Sequence, residues 1–412
     1  MQLIDNEYRI QNLPVLDICH EFDTPLYVYD ADRIVEQLNK LQKAFEGVPL
    51  KIKYAAKALT NISVLKVLKN AGAGVDVVSI QEVHVSLYAG FKPEEIMFTP
   101  NSVAFGEIQE AVQLGVGINI DNLSILEQFG KTYGNTVPCA LRLNPHIVAG
   151  GNAKIQVGHI NSKFGISVSQ LAQIHCIVDQ YHIRVNGLHI HTGSDIKQVS
   201  AFMQSAEILL EAAMNFPHLE FINFGSGFKV AYHHDDHITN ITDLGTQLKK
   251  AFLEFCDRYG KKLEIWFEPG KFLVSEAGYF FVKTNVLKQA PNTLFVGVDS
   301  GLNHLIRPMM YDAYHDMVNV SNPSGETKTH TVVGYICETD TFGADRSLAE
   351  VREGDIIAIK NAGAYGFSMS SNYNSRFRPA EVLVYKGKAH LIRKRETMED
   401  ILKNQIVPES LV

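Results

Sequence analysis

The chain is short of cysteine, of long apolar runs and of positive charge, and each shortage removes a class of protein. Its five cysteines (Cys19, Cys139, Cys176, Cys256, Cys337) are scattered through 412 residues with no CxxC pair. That excludes a disulfide framework and points to a reducing compartment. No apolar run is long enough to span a bilayer. The first ten residues carry Asp5 and Glu7 and lack the basic-then-apolar plan of a signal peptide. A soluble, cytoplasmic protein is expected. A formal net charge of −7 gives no general attraction to phosphate backbones or acidic lipid, so neither nucleic acid nor membrane is expected as a partner.

What is present is ordinary globular composition, 46% hydrophobic and 20% charged, in a chain too long for one core. The first half has a rhythm. Apolar runs that read as buried parallel strands recur around Tyr54, Asp76, Met97, Asn119 and Leu141, about 22 residues apart, as strand–helix units require. Helical spacing lies between them, as in Asn61 to Lys69, Ile80 to Ala89 and Glu107 to Leu114. Three more strand candidates follow at Gly187 to Thr192, Phe221 to Gly225 and Glu264 to Glu268. Eight units predict a (β/α)8 barrel over residues 24–274. An open doubly wound sheet has the same period; polar residues at nearly every strand end favour the barrel. After about Ser275 the pattern turns β-rich, with a turn at Lys386-Gly387-Lys388, which predicts a second domain over 275–412, joined by residues 1–23. No low-complexity linker separates the two.

A barrel works at the C-terminal ends of its strands. Those positions hold Lys57, Ser79, Asn101, Asp121, Asn144, His191, Ser194, Gly225-Ser226-Gly227 and Glu268. Amine, imidazole, carboxylate and glycine turn together suit an aldehyde cofactor that carries a phosphate. Lys57 closes the apolar run Tyr54-Ala55-Ala56, where lost hydration favours the neutral amine that carbonyl chemistry needs. Alone it would read as a snorkelling lysine. The glycine turn follows strand seven, where barrels often bind phosphate, and Glu268 is placed to pair with a ring nitrogen. His189 and His191 share one face of a strand and raise a rival reading, the metal pair of amidohydrolases. That pair belongs on the first strand, not the sixth, and no further ligands accompany it. The run His233 to His237 suits a solvated loop better than a metal site. No metal is expected.

The segments KYAAKA, GLHIHTGSD, NFGSG, FEPGK, HLIRPMMYDAYH, CETDTF and GAYGFSMSSNYNSR resemble the fold-type III pyridoxal-phosphate decarboxylases, which include ornithine decarboxylase, from about Thr24 to Val384. The resemblance implies a pyridoxal 5'-phosphate barrel with a β-rich domain of sandwich or Greek-key type. It implies that Lys57 holds the cofactor covalently, His191 stacks on the ring, and Glu268 meets the pyridine nitrogen. Ser194, Gly227, Gly270 and Tyr365 would contact the cofactor, mainly around its phosphate. Lys271, Arg307, Tyr311, Glu338 and Tyr365 would bind substrate, with Cys337 as the candidate proton donor. Cys337 and Glu338 would enter from a partner subunit, which implies a homodimer. The expected reaction takes meso-2,6-diaminopimelate to L-lysine and CO2. A polyamine precursor (carboxynorspermidine or ornithine) and a non-catalytic homologue are the alternatives. The family pattern has arginine where Lys271 stands, glutamine where Asp195 stands, and a third glycine at Ser226. A lysine cannot make the bidentate pair that arginine makes with a carboxylate.

Overall fold

A computed structural model describes residues 1–147, 158, 161–233 and 235–411. The chain forms two compact units: Ile34–Ala231 with Asp235–Leu273, and Met1–Arg33 with Tyr232–His234 and Val274–Val412.

Among the described residues, the barrel of the first unit is built from eight parallel strands, β1 Leu50–Ala55, β2 Gly74–Val77, β3 Ile96–Phe98, β4 Gly117–Ile120, β5 Cys139–Asn144, β6 Val185–Ile190, β7 Phe221–Asn223 and β8 Glu264–Phe267, with a short extra strand, Ile166–Ser167, parallel beside β5. Each pairs with the next, and β8 returns to β1 with Ile265 opposite Leu50. The sheet therefore closes, which decides for the barrel over the open sheet. Four of the helices that follow the strands start on side-chain caps. Asn61, Asn122 and Asn240 accept backbone N–H groups from Ser63, Ile125 and Asp243, and Ser79 accepts from Glu82. Short capped loops of this kind put strand ends and helix starts close together.

Strand alternation sorts the barrel interior into layers. Met97, Ala140, Phe221 and Trp266 form a buried apolar cluster, in which the Phe221 and Trp266 rings stack with centroids 3.7 Å apart. Two residues further along, the inward set is polar: Asn119, Arg142, His189, Asn223 and Glu268. Gly187 on β6 makes the room for Phe221, since a Cβ there would run into that ring.

The second unit is built on the long strand Gly278–Gln289. Leu26–Asp30, Ile356–Ile359 and Leu294–Val298 all pair with it antiparallel, and Ala380–Tyr385 runs parallel beside Leu26–Asp30. Ala380–Tyr385 and Lys388–Arg393 form the hairpin expected at Lys386-Gly387, both of which have positive φ, as a two-residue turn prefers. Ile10, Val15 and Ile18 are buried together with Phe281, Ala358 and Val382. Among the described residues, no helix is long and apolar enough to cross a membrane.

Overpacking at the notch gives a direct test of the barrel floor. Gly187→Ala is expected to cost about 1–3 kcal/mol in denaturant unfolding, and Phe221→Leu in the same chain should recover part of it. An unchanged midpoint for Gly187→Ala would show that the ring is not confined there.

Candidate active site

Because all eight strands are parallel, their C-terminal ends lie at one end of the barrel. That end holds seven of the expected residues: Lys57 after β1, His191 and Ser194 after β6, Gly227 after β7, and Glu268, Gly270 and Lys271 after β8. Lys57 sits on the 3-10 turn Ala56–Ala58 and is exposed. The desolvation expected from Tyr54-Ala55-Ala56 is therefore not supplied by that run, because the turn carries the lysine past its end. The charge still acts inward. Burial pushes the Asp76 and Glu82 carboxyls up, and Lys57 is among the groups that pull them back.

Glu268 is the centre of the polar layer, with a side chain only 8% exposed. Its Oε1 accepts from Asn223 Nδ2 at 2.5 Å, and its Oε2 lies 3.2 Å from His189 Nε2. Asn119 Nδ2 lies 2.7 Å from His189 Nδ1; with Asn119 donating there, the ring proton sits on Nε2, facing the carboxylate. Burial favours the neutral form of Glu268. His189, Asn223 and Arg142 overrule it and hold the carboxyl well below its ordinary value. Burial also disfavours the His189 cation; its Nε2 faces the carboxylate at 3.2 Å without the alignment of a hydrogen bond.

His191 is half-buried at the rim. Burial first, then the charges of Arg142 and Lys57, keep its imidazole neutral, well below the usual value. Its Nδ1 accepts the Ser226 N–H at 3.4 Å. Gly225 and Gly227 have φ of +63° and +111°, a region that side chains disfavour. A Cβ on either would also strike the β6 end, at the Ile190 and Gly193 carbonyls. The turn is thus pressed against β6 (Ile196 N–H to Gly227 O, 2.8 Å) and held from β8 (Glu268 N–H to Gly225 O, 2.7 Å). Beside it, Lys271 Nζ is 2.6 Å from Asp195 Oδ1.

The remaining expected residues belong to the second unit. Arg307 is buried on the helix Arg307–Tyr311, with its guanidinium 5.4 Å from the Tyr232 ring and 6.0 Å from the Tyr311 ring. His315, buried beside it, uses Nδ1 on the Lys360 carbonyl (2.8 Å), which leaves Nε2 to accept from Arg307 Nε at 3.4 Å. Burial, then Arg307, lowers the His315 pKa to about 3. Tyr365 has φ of +57°. Cys337 and Glu338 are exposed. They lie beyond the strand Thr327–Val333, not at its end, because Asp340 folds the intervening segment back: its carboxylate accepts from Ile336 N (2.8 Å) and Leu302 N (2.6 Å). Tyr373 Oη donates to Glu338 Oε1 at 2.5 Å, and Cys337 Sγ is 3.6 Å from Glu338 Oε2.

Reading strand ends misses the layer beneath them. Asp76, Asn119, Arg142 and Asn223 are single polar letters inside apolar runs, and their signal is the two-residue step to Asp121 or Asn144 on the same face. His315, Tyr373 and Asp340 lie inside the segments that carry the resemblance, but no spacing singles them out from their neighbours. Of the run His233 to His237, His234 lies outside the described residues. Among the described residues, no group of three or more metal-type ligands occurs.

The state of Glu268 is open to measurement. A depressed carboxyl contributes stability above its unfolded value and loses it as pH falls through the folded one. Denaturant unfolding of the wild type minus that of Glu268→Gln should be constant above about pH 5 and shrink steadily in acid. A difference that grows in acid would mean that the carboxyl is protonated in the folded chain.

Comparison with known proteins accords with this arrangement. Residues 31–275 match the model of the pyridoxal-dependent decarboxylases, pyridoxal binding domain. The diaminopimelate decarboxylase of Methanothermobacter thermautotrophicus is 37% identical, over 96% of this chain and 95% of the relative. That of Bacillus subtilis is 34% identical, over 96% and 94%. Among solved structures, the diaminopimelate decarboxylase of M. jannaschii superposes with a TM-score of 0.91 at 31% identity, over 100% of this chain and 98% of that one. The Helicobacter pylori enzyme complexed with L-lysine gives 0.87 at 30% identity, over 94% and 98%. Matched along its whole length, the chain belongs to the diaminopimelate decarboxylase family of pyridoxal-dependent decarboxylases.

Proposed function

We propose that the chain decarboxylates meso-2,6-diaminopimelate to L-lysine and CO2 with pyridoxal 5'-phosphate. The observation that carries this reading is the gathering of Lys57, His191, Glu268 and the glycine turn at one barrel end, in a chain that spans nearly the full length of relatives bearing that activity.

The residues fit the cofactor. In the glycine turn the Gly225 N–H is taken by Asn223 Oδ1 (2.9 Å) and the Ser226 N–H by His191 Nδ1, which leaves the Gly227 N–H and the Cβ-free surface of the turn for a phosphate, and neutral His191 offers a flat face to a ring. Buried Asp76 Oδ1 and Asn119 Oδ1 have no partner among the described residues. When bound, the cofactor supplies an electron sink for the pair released as CO2 departs. The chain does the rest. Lys57 would hold the cofactor aldehyde through its side-chain amine. Glu268, ionised, keeps a proton on the pyridine nitrogen, with Asn223 bonded to one of its oxygens and His189 beside the other. Ser194, Gly227, Gly270 and Tyr365 hold the phosphate end. Arg307 reads the distal carboxylate of the substrate and Glu338 its distal ammonium, with Tyr311 and Tyr365 alongside. Lys271 stands at the rim, with its ammonium already on Asp195. The Cys337 thiol delivers the proton to the α-carbon.

Cys337 and Glu338 project from the second unit into solvent, as suits residues that complete a site in another copy of the chain. We infer a homodimer with shared sites, working in the cytoplasm.

Purified protein should show a cofactor absorption band that Lys57→Ala abolishes, together with a fall in turnover of at least about 10³-fold. In a CO2-release panel of diaminopimelate, ornithine, arginine and carboxynorspermidine, diaminopimelate should be preferred. Preference for another member would overturn the substrate.

Lys57→Ala and Cys337→Ala protomers, each inactive alone, should regain about a quarter of wild-type activity when mixed equally. Half the dimers are then mixed, each with one intact site. No recovery would count against shared sites.

A further inference from the structure

Strands β6, β7 and β8 are neighbours in that order. The ion pair between Asp195, on the loop after β6, and Lys271, at the start of the helix Lys271–Val274 after β8, therefore brackets the glycine turn after β7. Both charges are withdrawn from water: the Lys271 side chain is 8% exposed and that of Asp195 17%. Asp195 has φ of +63°, which is uncommon for a residue with a side chain. Its position is fixed by its neighbours. Ile196 N–H bonds to Gly227 O at 2.8 Å, and Thr239 Oγ1 donates to Ile196 O at 2.6 Å.

The fold thus holds a carboxylate beside the turn that is to receive an anion. A carboxylate there repels a phosphate unless a cation cancels it, and a site this dry screens the repulsion poorly. We propose that Lys271 is a positioning residue: its ammonium neutralises Asp195, so that the Gly225–Gly227 turn can accept the cofactor phosphate. This rests on the cofactor reading above and refines it, since it commits the charge of Lys271 to Asp195 and not to a substrate carboxylate. The pair also ties the β6 loop to the β8 helix, and Arg in place of Lys would keep both features.

The test is titration of apoprotein with pyridoxal phosphate, followed by absorbance, with pyridoxal lacking the phosphate as a parallel probe. Lys271→Met should weaken pyridoxal phosphate binding about ten- to a hundredfold, the effect of leaving a buried charge unpaired, while changing pyridoxal binding little. Adding Asp195→Asn should recover most of the loss, and Lys271→Arg should bind like wild type. Asp195→Asn alone should bind as tightly as wild type or more so, which keeps the test valid if Lys271→Met folds poorly. A double variant as weak as Lys271→Met would overturn the proposal, because Lys271 would then act on the ligand directly. Loss of affinity in Asp195→Asn would overturn it too, as would an equal loss toward both probes. Failure of the cofactor reading looks different: the wild type itself would take up no pyridoxal phosphate. In that case apoprotein melting still decides, since neutralisation requires Lys271→Met to lower the midpoint and Asp195→Asn to restore it.

Discussion

An ionised carboxylate inside a barrel is an expensive object, and much of this molecule is arranged around one. Glu268 stays charged although burial opposes it, because Asn223 and His189 each meet one of its oxygens and Arg142 adds a full positive charge nearby. Such a group is tolerable only when its partners are themselves held. Asn119 holds His189, and the backbone N–H of Glu268 is tied to Gly225. The acid and the glycine turn are thus held by one backbone bond.

Much of this was legible in the sequence, for a physical reason. Parallel barrel strands are buried on both faces, so they read as continuous apolar runs, and all eight were found that way. Closure was not legible, because it depends on Ile265 meeting Leu50 across most of the barrel unit, a contact with no local trace. Strand-end residues were found because the fold class says where to look. The supporting layer was missed because Asp76, Asn119, Arg142 and Asn223 interrupt apolar runs by one letter each, which looks like noise until the two-residue period is followed inward.

The exposure of Lys57 and the pairing of Lys271 with Asp195 mark a second limit. An apolar neighbourhood in sequence becomes a dry one in space only if the backbone continues in the same direction, and the turn Ala56–Ala58 does not. Asp195 and Lys271 stood out singly as departures from a family pattern. Separated by 76 positions, they meet only once β6 and β8 are placed on either side of β7. Their meaning is joint, and a reading of one position at a time cannot reach it.

The stacked pair of Phe221 and Trp266 has an electrical consequence. With Met97 and Ala140 it puts an apolar stopper across the barrel directly beneath the polar layer. Counter-ions and mobile water are kept from that side, so the field set up by Glu268 and Arg142 is screened little from below. Whatever enters the mouth meets that field nearly undiminished.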